Sequence, residues 1–522
     1  MELELLGRTL GAVVVVSLLF HLCNRTWLKA WRLRNKLLSQ GVRGPAPSLL
    51  YGNLPEMQRI EAETRAKRDL GHGCDDPNPI AHDYTSTLFP YFERWRKQYG
   101  PVYMYSTGFR QHLYVTKPEF VKDMNQCADL LGKPSYLTKR LSPMMGNSIT
   151  RANGSLWAQQ RKIVAPEFFA DKVKGMVGPM VESAETLLCS WETRIDAGGG
   201  ESVEIEVTED LTVFSAEVLS RTSFGSSYVK GKEIYSKLKS LQHAISHQNF
   251  LFTNNFFSFL PSRKKREISS LEQEVGSLIW NTVEDRRREC LEKCSHKDLL
   301  QLILEGSFSD EMLDSESSKR LVIDNCKNIY FAGHESTALT ASWCVMLLAQ
   351  HPEWQSRIRE EVARVCGSRH PDADSLARLR TVTIVIQEVL RLYPTAVFVS
   401  REALQDVRIG NLQVPKNTCL WTLIPTLHRD PDVWGQDANE FNPQRFVNGI
   451  SKACKYPQAY VPFGLGPRTC LGQHFAMAEL KILLSLIISR YTFSLSPRYR
   501  HSPAFRMLVV PEHGVHIIIR KI

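Results

Sequence analysis

Twelve cysteines are scattered through the 522 residues without a framework of short spacings. That excludes a disulfide-stapled secreted scaffold and leaves reduced thiols as the expectation. Cys290, Cys294 and His296 stand close together, but they lie among Arg286, Arg287, Arg288, Glu289, Glu292 and Lys293 with no second ligand pair nearby. A solvated helix face explains them better than zinc. The net charge is +10, yet no nucleic-acid recognition motif accompanies it. No flavin- or nicotinamide-binding motif is present, there is no internal repeat, and nothing in the interior has the composition of a linker. Hydrophobic residues make up 43% and charged residues 23%, ordinary values that give an ample core and do not indicate disorder.

Acidic residues are missing from one stretch in particular. Between Asn24 and Arg43 there are six basic residues and no Asp or Glu, with Trp27 and Trp31 among them. This is the pattern of the cytoplasmic flank of a membrane span. Residues 5–23 before it are apolar except for Arg8, and as a helix they would cover roughly 28 Å at ~1.5 Å per residue, close to a hydrocarbon core of ~30 Å. Arg8 and His21 can snorkel to the two interfaces. A cleaved signal peptide is disfavoured, because Glu2 and Glu4 replace the basic cluster and no small-x-small cleavage site follows. Residues 1–24 therefore read as a membrane anchor. Residues 25–47 read as a basic juxtamembrane segment ending in a Pro/Gly hinge at 41–47, and residues 48–522 as a catalytic domain facing the cytosol.

Helical spacing of apolar residues marks 172–194, 271–293, 352–365 and 383–393. Residues 329–349, apolar on nearly every side, extend a helix that starts near 321. Small, polar segments at 66–83, 198–200, 306–318 and 366–374 read as surface loops. Residues 401–425, with β-branched runs split at Gly410-Asn411 and Lys416-Asn417, read as hairpins.

One cysteine is set apart. In residues 463–472, Phe-Gly-Leu-Gly-Pro-Arg-Thr-Cys-Leu-Gly, the glycines Gly464, Gly466 and Gly472 allow turns closed to residues with a Cβ and let the chain lie against a flat ring. Arg468 adds positive charge, and a helix read over 475–483 places Cys470 near its N-terminus. Both favour a thiolate, and a thiolate so held points to a haem iron ligand. The pattern Phe-x-x-Gly-x-Arg-x-Cys-x-Gly, filled by Phe463, Gly466, Arg468, Cys470 and Gly472, resembles the haem-binding loop of the cytochrome P450 family.

The resemblance covers essentially the whole chain. It implies a mainly α fold with a smaller β subdomain, the cytochrome P450 fold, here behind an N-terminal transmembrane helix. It also implies haem b held by Cys470, with electrons from NADPH through a separate reductase that basic residues near the Cys470 face would dock. The implied location is the endoplasmic reticulum membrane, single-pass, with the catalytic domain in the cytosol. Attraction to membrane lipid and to an acidic reductase then accounts for the basic charge, without nucleic acid.

Within the apolar central helix stand Ala332-Gly333-His334-Glu335-Ser336-Thr337. The family resembled uses an acid and an alcohol here to deliver protons during oxygen activation, and Glu335 and Ser336 fall on those positions. The alcohol is most often threonine, so Ser336 is a departure, with Thr337 available behind it. Trp157 and Arg161, at i,i+4 spacing, match the family's propionate-binding helix, and Arg401 and Arg468 are the other candidate cations. Glu388 and Arg391 share a helix face one turn apart, and with Arg445 they are expected to form a buried network that positions the haem loop.

The expected reaction is insertion of one oxygen atom from O2 into a small lipophilic substrate. Residues 44–57, 82–91, 331–338 and 475–481 are similar to the plant 72 clan, and 82–91 with Arg94-Trp95-Arg96-Lys97 to its gibberellin-oxidising branch. A gibberellin or related diterpenoid acid is the implied substrate, by 13-hydroxylation or 16,17-epoxidation. Other plant hormones or terpenoids are the alternatives, followed by a haem-thiolate isomerase or a non-catalytic haem sensor.

Overall fold

The apolar run at the middle of the sequence becomes the axis of the molecule. In the computed structural model it is part of one helix, Ser315–Gln350, 36 residues long. Asp314 caps its start, accepting the Ser317 N–H at 2.7 Å. His351 ends it in a non-helical conformation, as a residue before proline prefers, and Pro352 opens the next helix. The structure describes residues 24–71, 80–127, 129–225, 228–246, 262–292, 298–308 and 314–522, with isolated positions between 10 and 21.

Around this axis pack Val207–Ser223, Arg380–Leu392 and Gln473–Arg490, whose buried faces join one large core with the central helix. Gly333 makes the closest of these approaches possible: a Cβ there would come within 2.9 Å of the Leu219 side chain. The missing side chain thus accommodates a neighbouring helix.

A five-stranded sheet stands at one side, in the order Val102–Thr107, Arg110–Val115, Cys419–Leu423, Phe398–Ala403, Leu131–Gly132. Its register places Leu131 opposite Ala403 and Gly132 opposite Glu402. Because side chains alternate along a strand, Val399 and Arg401 share one face, and both reach the central cavity. A smaller sheet joins Ser202–Glu206, His516–Lys521 and Tyr491–Leu495. The fold is mainly helical with small sheets.

Several local expectations are corrected. The helix read over 172–194 is two, Ala170–Lys174 and Val177–Ala197, parted at Gly175. The loop read over 306–318 is largely helical where described: Gly306 closes Leu299–Phe308 against Ile163, and the central helix begins at Ser315. In 401–425 a hairpin does form, Val407–Ile409 with Leu412–Val414, turning at Gly410 with φ +58°. Cys419–Leu423, however, leaves it to pair with Phe398–Ala403 and, in parallel, with Arg110–Val115.

The anchor read over residues 1–24 lies almost entirely outside the described residues. Among the described residues no helix is long and apolar enough to cross a membrane. The basic segment forms the helix Lys29–Leu38, with Trp27 and Trp31 exposed. The stretch read as a hinge is pinned to the sheet: Met104 N–H donates to Arg43 O at 2.9 Å, and Arg34 Nη2 donates to Pro45 O at 2.9 Å. Leu37 and Val42 are buried in the same cluster as Met104 and Leu113.

Candidate active site

Between the middle of the central helix and the 463–472 loop lies a cavity of about 400 Å3. Of the residues singled out from sequence, it gathers Trp157, Arg161, Ser336, Thr337, Arg401, Phe463, Arg468, Cys470 and Gly472. Glu335, Gly466, Glu388, Arg391 and Arg445 do not line it.

The loop owes its shape to backbone constraints. Gly464 N–H donates to Val461 O at 3.0 Å, Thr469 N–H to Gly466 O at 3.0 Å, and Cys470 N–H to Phe463 O at 2.8 Å. Gly464 and Gly466 both have positive φ, +75° and +73°. A Cβ on Gly466 would lie 2.3 Å from Asn125 O, so its close approach is to protein backbone and not to a ring. Gly472, with open space beside it, caps the helix Gln473–Arg490. Cys470 opens onto the cavity but lies deep enough that desolvation pushes its thiol up, while the Gly472 N–H and the Arg161 guanidinium pull it down. The charge that reaches the sulfur is thus Arg161's. Arg468, expected beside it, turns away and donates to Ala152 O at 2.8 Å and Asn153 Oδ1 at 3.0 Å.

The arginines form a cationic rim. Trp157 is flanked by two guanidiniums, Arg468 at 4.4 Å and Arg161 at 5.8 Å from its ring centroids. Arg161 Nη1 donates to Thr469 O at 3.2 Å, tying the Gly154–Val164 helix to the cysteine loop. Arg401 is 4% exposed and donates to Asn125 Oδ1 at 3.1 Å. Burial first, then a neighbouring arginine, lowers Arg401 and Arg468 to about 10 each. Among the described residues, the buried Nε atoms of both find no acceptor. Unpaired buried donors on crowded cations call for an anion. The cavity therefore suits a planar group that meets a thiol on one side and presents carboxylates to this rim.

On the central helix, Ser336 Oγ donates to Ala332 O at 2.7 Å and Thr337 Oγ1 to Gly333 O at 3.3 Å, so both hydroxyls bond back to helix carbonyls. Glu335 points elsewhere. Gln242 Nε2, from the helix Tyr228–Ser246, donates to Glu335 Oε1 at 2.9 Å and to Arg506 O at 3.2 Å. Burial pushes the Glu335 carboxyl up to about 7, against the pull of the Gln242 bond and of Lys239.

Glu388 and Arg391 are fully buried and paired at two oxygens, both at 2.7 Å. Arg391 also donates to the carbonyls of His428, Ala438 and Glu440 at 2.9, 2.6 and 2.9 Å. Arg445 reaches Glu388 at 3.4 Å and Asp437 Oδ1 at 2.9 Å. His428 then accepts the Val461 N–H at 2.9 Å, two residues before Phe463. The network thus has a hydrogen-bonded path to the cysteine loop.

Sequence reasoning missed Lys133, Gln242, His428 and Asn153. Asn153 stands at the N-cap of Gly154–Val164, yet its side chain makes no cap; Oδ1 accepts from Arg468 and from Lys133 N–H at 2.9 Å. None of the four carries a motif, and their partners lie far away in sequence. Residues 245–257, whose many apolar side chains would suit a pocket wall, fall mostly outside the described residues. The segment 82–91 packs behind the site, with His82 Nδ1 2.6 Å from the Tyr393 hydroxyl, and none of it lines the cavity. Among the described residues no His, Cys, Asp and Glu cluster could hold a metal ion.

Comparison with known proteins agrees with this geometry. The cytochrome P450 family model matches residues 80–519. "Cytochrome P450 714A2" of Arabidopsis thaliana is 51% identical over 514 residues, 97% of this chain and 96% of that protein. "Cytochrome P450 714C2" of Oryza sativa subsp. japonica is 48% identical, covering 95% and 94%, and "Cytochrome P450 714B3" of Zea mays is 45% identical, covering 98% and 94%. With the match extending over nearly its whole length, the chain belongs to the cytochrome P450 family, haem-dependent monooxygenases that draw electrons from NADPH through a reductase.

Proposed function

We propose that this monooxygenase inserts one oxygen atom into a gibberellin or a related diterpenoid acid, by 13-hydroxylation or 16,17-epoxidation. The observation that carries the reading is the convergence of Cys470, the Arg161, Arg401 and Arg468 rim and the Ser336 hydroxyl on one cavity. Cys470 would supply the thiolate that holds the haem iron. Trp157 and the three arginines would seat the two propionates, whose charges would answer the orphaned guanidinium donors. Haem bound through a thiolate supplies the electron-rich centre at which dioxygen is activated.

The chain's own residues position and protonate. Phe168, Leu219, Phe398 and Val399 give the cavity apolar walls that hold a terpenoid skeleton and exclude water. Ser336 Oγ presents a hydroxyl that can order a water or pass a proton, with Thr337 Oγ1 one residue on. Glu335 holds a proton near neutral pH, the condition for an acid that both gives and regains it. Glu388, Arg391 and Arg445 act through His428 and Val461 to keep the loop in place.

Support for a gibberellin is kinship in the 82–91 segment together with a cavity whose charge suits an acid. Residues 1–24 tether the enzyme to the endoplasmic reticulum membrane, residues 25–47 lie at its cytoplasmic surface with Leu37 and Val42 packed into the domain, and residues 48–522 form the rest of the catalytic domain. The test is turnover of the membrane-expressed protein with reductase, NADPH and a panel of gibberellin precursors, read by mass spectrometry. Gain of one oxygen, dependent on NADPH and lost in Cys470→Ala, is expected. An intact haem spectrum with no gibberellin product would redirect the search to other terpenoid acids.

A further inference from the structure

Around residues 324–328 the central helix buries four polar side chains, Asp324, Asn325, Lys327 and Asn328. Three of them are engaged with the protein. Asp324 Oδ2 accepts the Asn147 N–H at 2.7 Å, and its Oδ1 pairs with the Lys327 ammonium at 3.2 Å. Asn325 Oδ1 accepts the Ile149 N–H at 3.2 Å, while its Nδ2 donates to Leu321 O at 3.0 Å. These bonds clamp residues 147–149 onto the helix. Gly146 before them, at φ +51°, has no room for a Cβ beside the Asp324 carboxyl. Ile149 and Thr150 thereby become part of the cavity wall.

Asn328 is the exception. It is 5% exposed and lines the cavity, yet among the described residues neither its buried Oδ1 nor its Nδ2 has a hydrogen-bond partner. A buried donor and acceptor left idle are unfavourable, and a polar group on a ligand would relieve both. Asn328, Ala332, Ser336 and Thr340 recur at every fourth residue and all line the cavity. Asn328 stands eight residues before Ser336, roughly 12 Å at ~1.5 Å per residue. A substrate whose reacting carbon lies by Ser336 therefore presents its far end to this amide. The cations of the cavity do not compete for that end: Lys133 stands beside Arg401 and Arg468, within the seat proposed for the cofactor.

We propose that Asn328 hydrogen-bonds an oxygen group of the substrate remote from the carbon attacked, so that the site selects an alcohol or an undissociated carboxylic acid over the hydrocarbon parent. This rests on reading the cavity as the substrate site of an oxygenase, and it deepens that reading. The amide offers a donor and an acceptor side by side. A carboxylic acid meets both at once, an alcohol can meet either, and a methyl group leaves both idle. A site that holds a polar group for a substrate oxygen rejects the analogue lacking it far more sharply than an apolar wall rejects a missing methylene.

The test uses the full, haem-loaded chain and the absorbance change of the haem on substrate binding, which does not require turnover. Tetracyclic diterpenes bearing methyl, hydroxymethyl or carboxyl at the same carbon are titrated, beside a matched long-chain alkane, alcohol and fatty acid. The wild type is expected to bind at least one oxygenated compound about tenfold or more tighter than its parent. Asn328→Leu, similar in size, is expected to abolish that preference and leave parent affinity, haem content and the reduced carbon monoxide spectrum unchanged. Asn328→Ala, which inserts no new bulk, should do the same. Preference for the alcohol alone or the acid alone would identify the group and leave the proposal standing. A wild type without preference, a preference that survives both substitutions, or loss of haem from both variants would each overturn it, the last by giving the amide a structural role. Asn328-dependent binding confined to the long-chain series would leave the proposal standing and remove the diterpenoid reading. Oxidation of gibberellin precursors without any Asn328-dependent preference would do the reverse.

Discussion

Among individual residues, the proposed proton handling divides between a hydroxyl in the cavity and a carboxyl behind it. Ser336→Ala removes the first and is expected to lower product formed per NADPH consumed, measured by paired product and cofactor assays. Unaltered coupling would assign proton delivery to Thr337 or to water. Gln242→Leu acts on the second. The Gln242 bond holds the Glu335 pKa down, so losing it raises that pKa above about 7, and the protonated acid persists to higher pH. The alkaline limb of the coupling-versus-pH profile should therefore move upward; a limb that stays in place would detach Glu335 from the step. The same raised pKa destabilises the fold as pH climbs from about 4.5 towards 7, because the unfolded chain gives up this proton first. Glu335 and Ser336 stood out in sequence because both are polar in an apolar helix and fall on the acid and alcohol positions of the family resembled. Gln242 was not, since its partner stands 93 positions away and only the crossing of two helices brings them together.

Among the secondary-structure elements, the Arg380–Leu392 helix serves as an attachment post. Glu388→Ala would leave the Arg391 guanidinium buried without its carboxylate, a loss of about 3–5 kcal/mol. It should appear as a lower denaturation midpoint and, through His428 and Val461, as poorer haem retention. An unchanged midpoint would mean that the carbonyls of His428, Ala438 and Glu440 hold the segment unaided. The Glu388 and Arg391 pairing could be read from an i,i+3 spacing on an apolar helix. The route onward could not, because it runs through main-chain carbonyls and a histidine that no pattern marks. Strand pairing was hidden for a similar reason: Cys419–Leu423 reads as the next arm of a hairpin, and only the five-stranded sheet shows that it prefers two distant partners.

For the enzyme taken entire, the packed body begins earlier than the prolines suggest, by Leu37 and Val42. Removal of residues 1–23 is expected to leave the reduced carbon monoxide spectrum and thermal midpoint unchanged. Removal through residue 47 takes away Leu37 and Val42 from the core and frees Met104 N–H. Fully burying two such side chains is worth about 1.5–3 kcal/mol each, so the midpoint should fall. Equal midpoints for the two truncations would return 25–47 to the status of a linker. Proline and glycine composition cannot distinguish a stretch that swings from one that is stapled, since both lack regular structure.

The edge of the five-stranded sheet has a consequence for anyone re-engineering this enzyme. Lys133 and Arg401 are aimed by one short ladder, Leu131 opposite Ala403 and Gly132 opposite Glu402, and a strand that slips by one residue turns its side chains to the other face. Exchanging the side chain at 133 alters one position of the cavity wall. Inserting or deleting a residue between 130 and 134 would disturb the seat of the cofactor at the same stroke, so substrate libraries should vary identity there and leave length untouched.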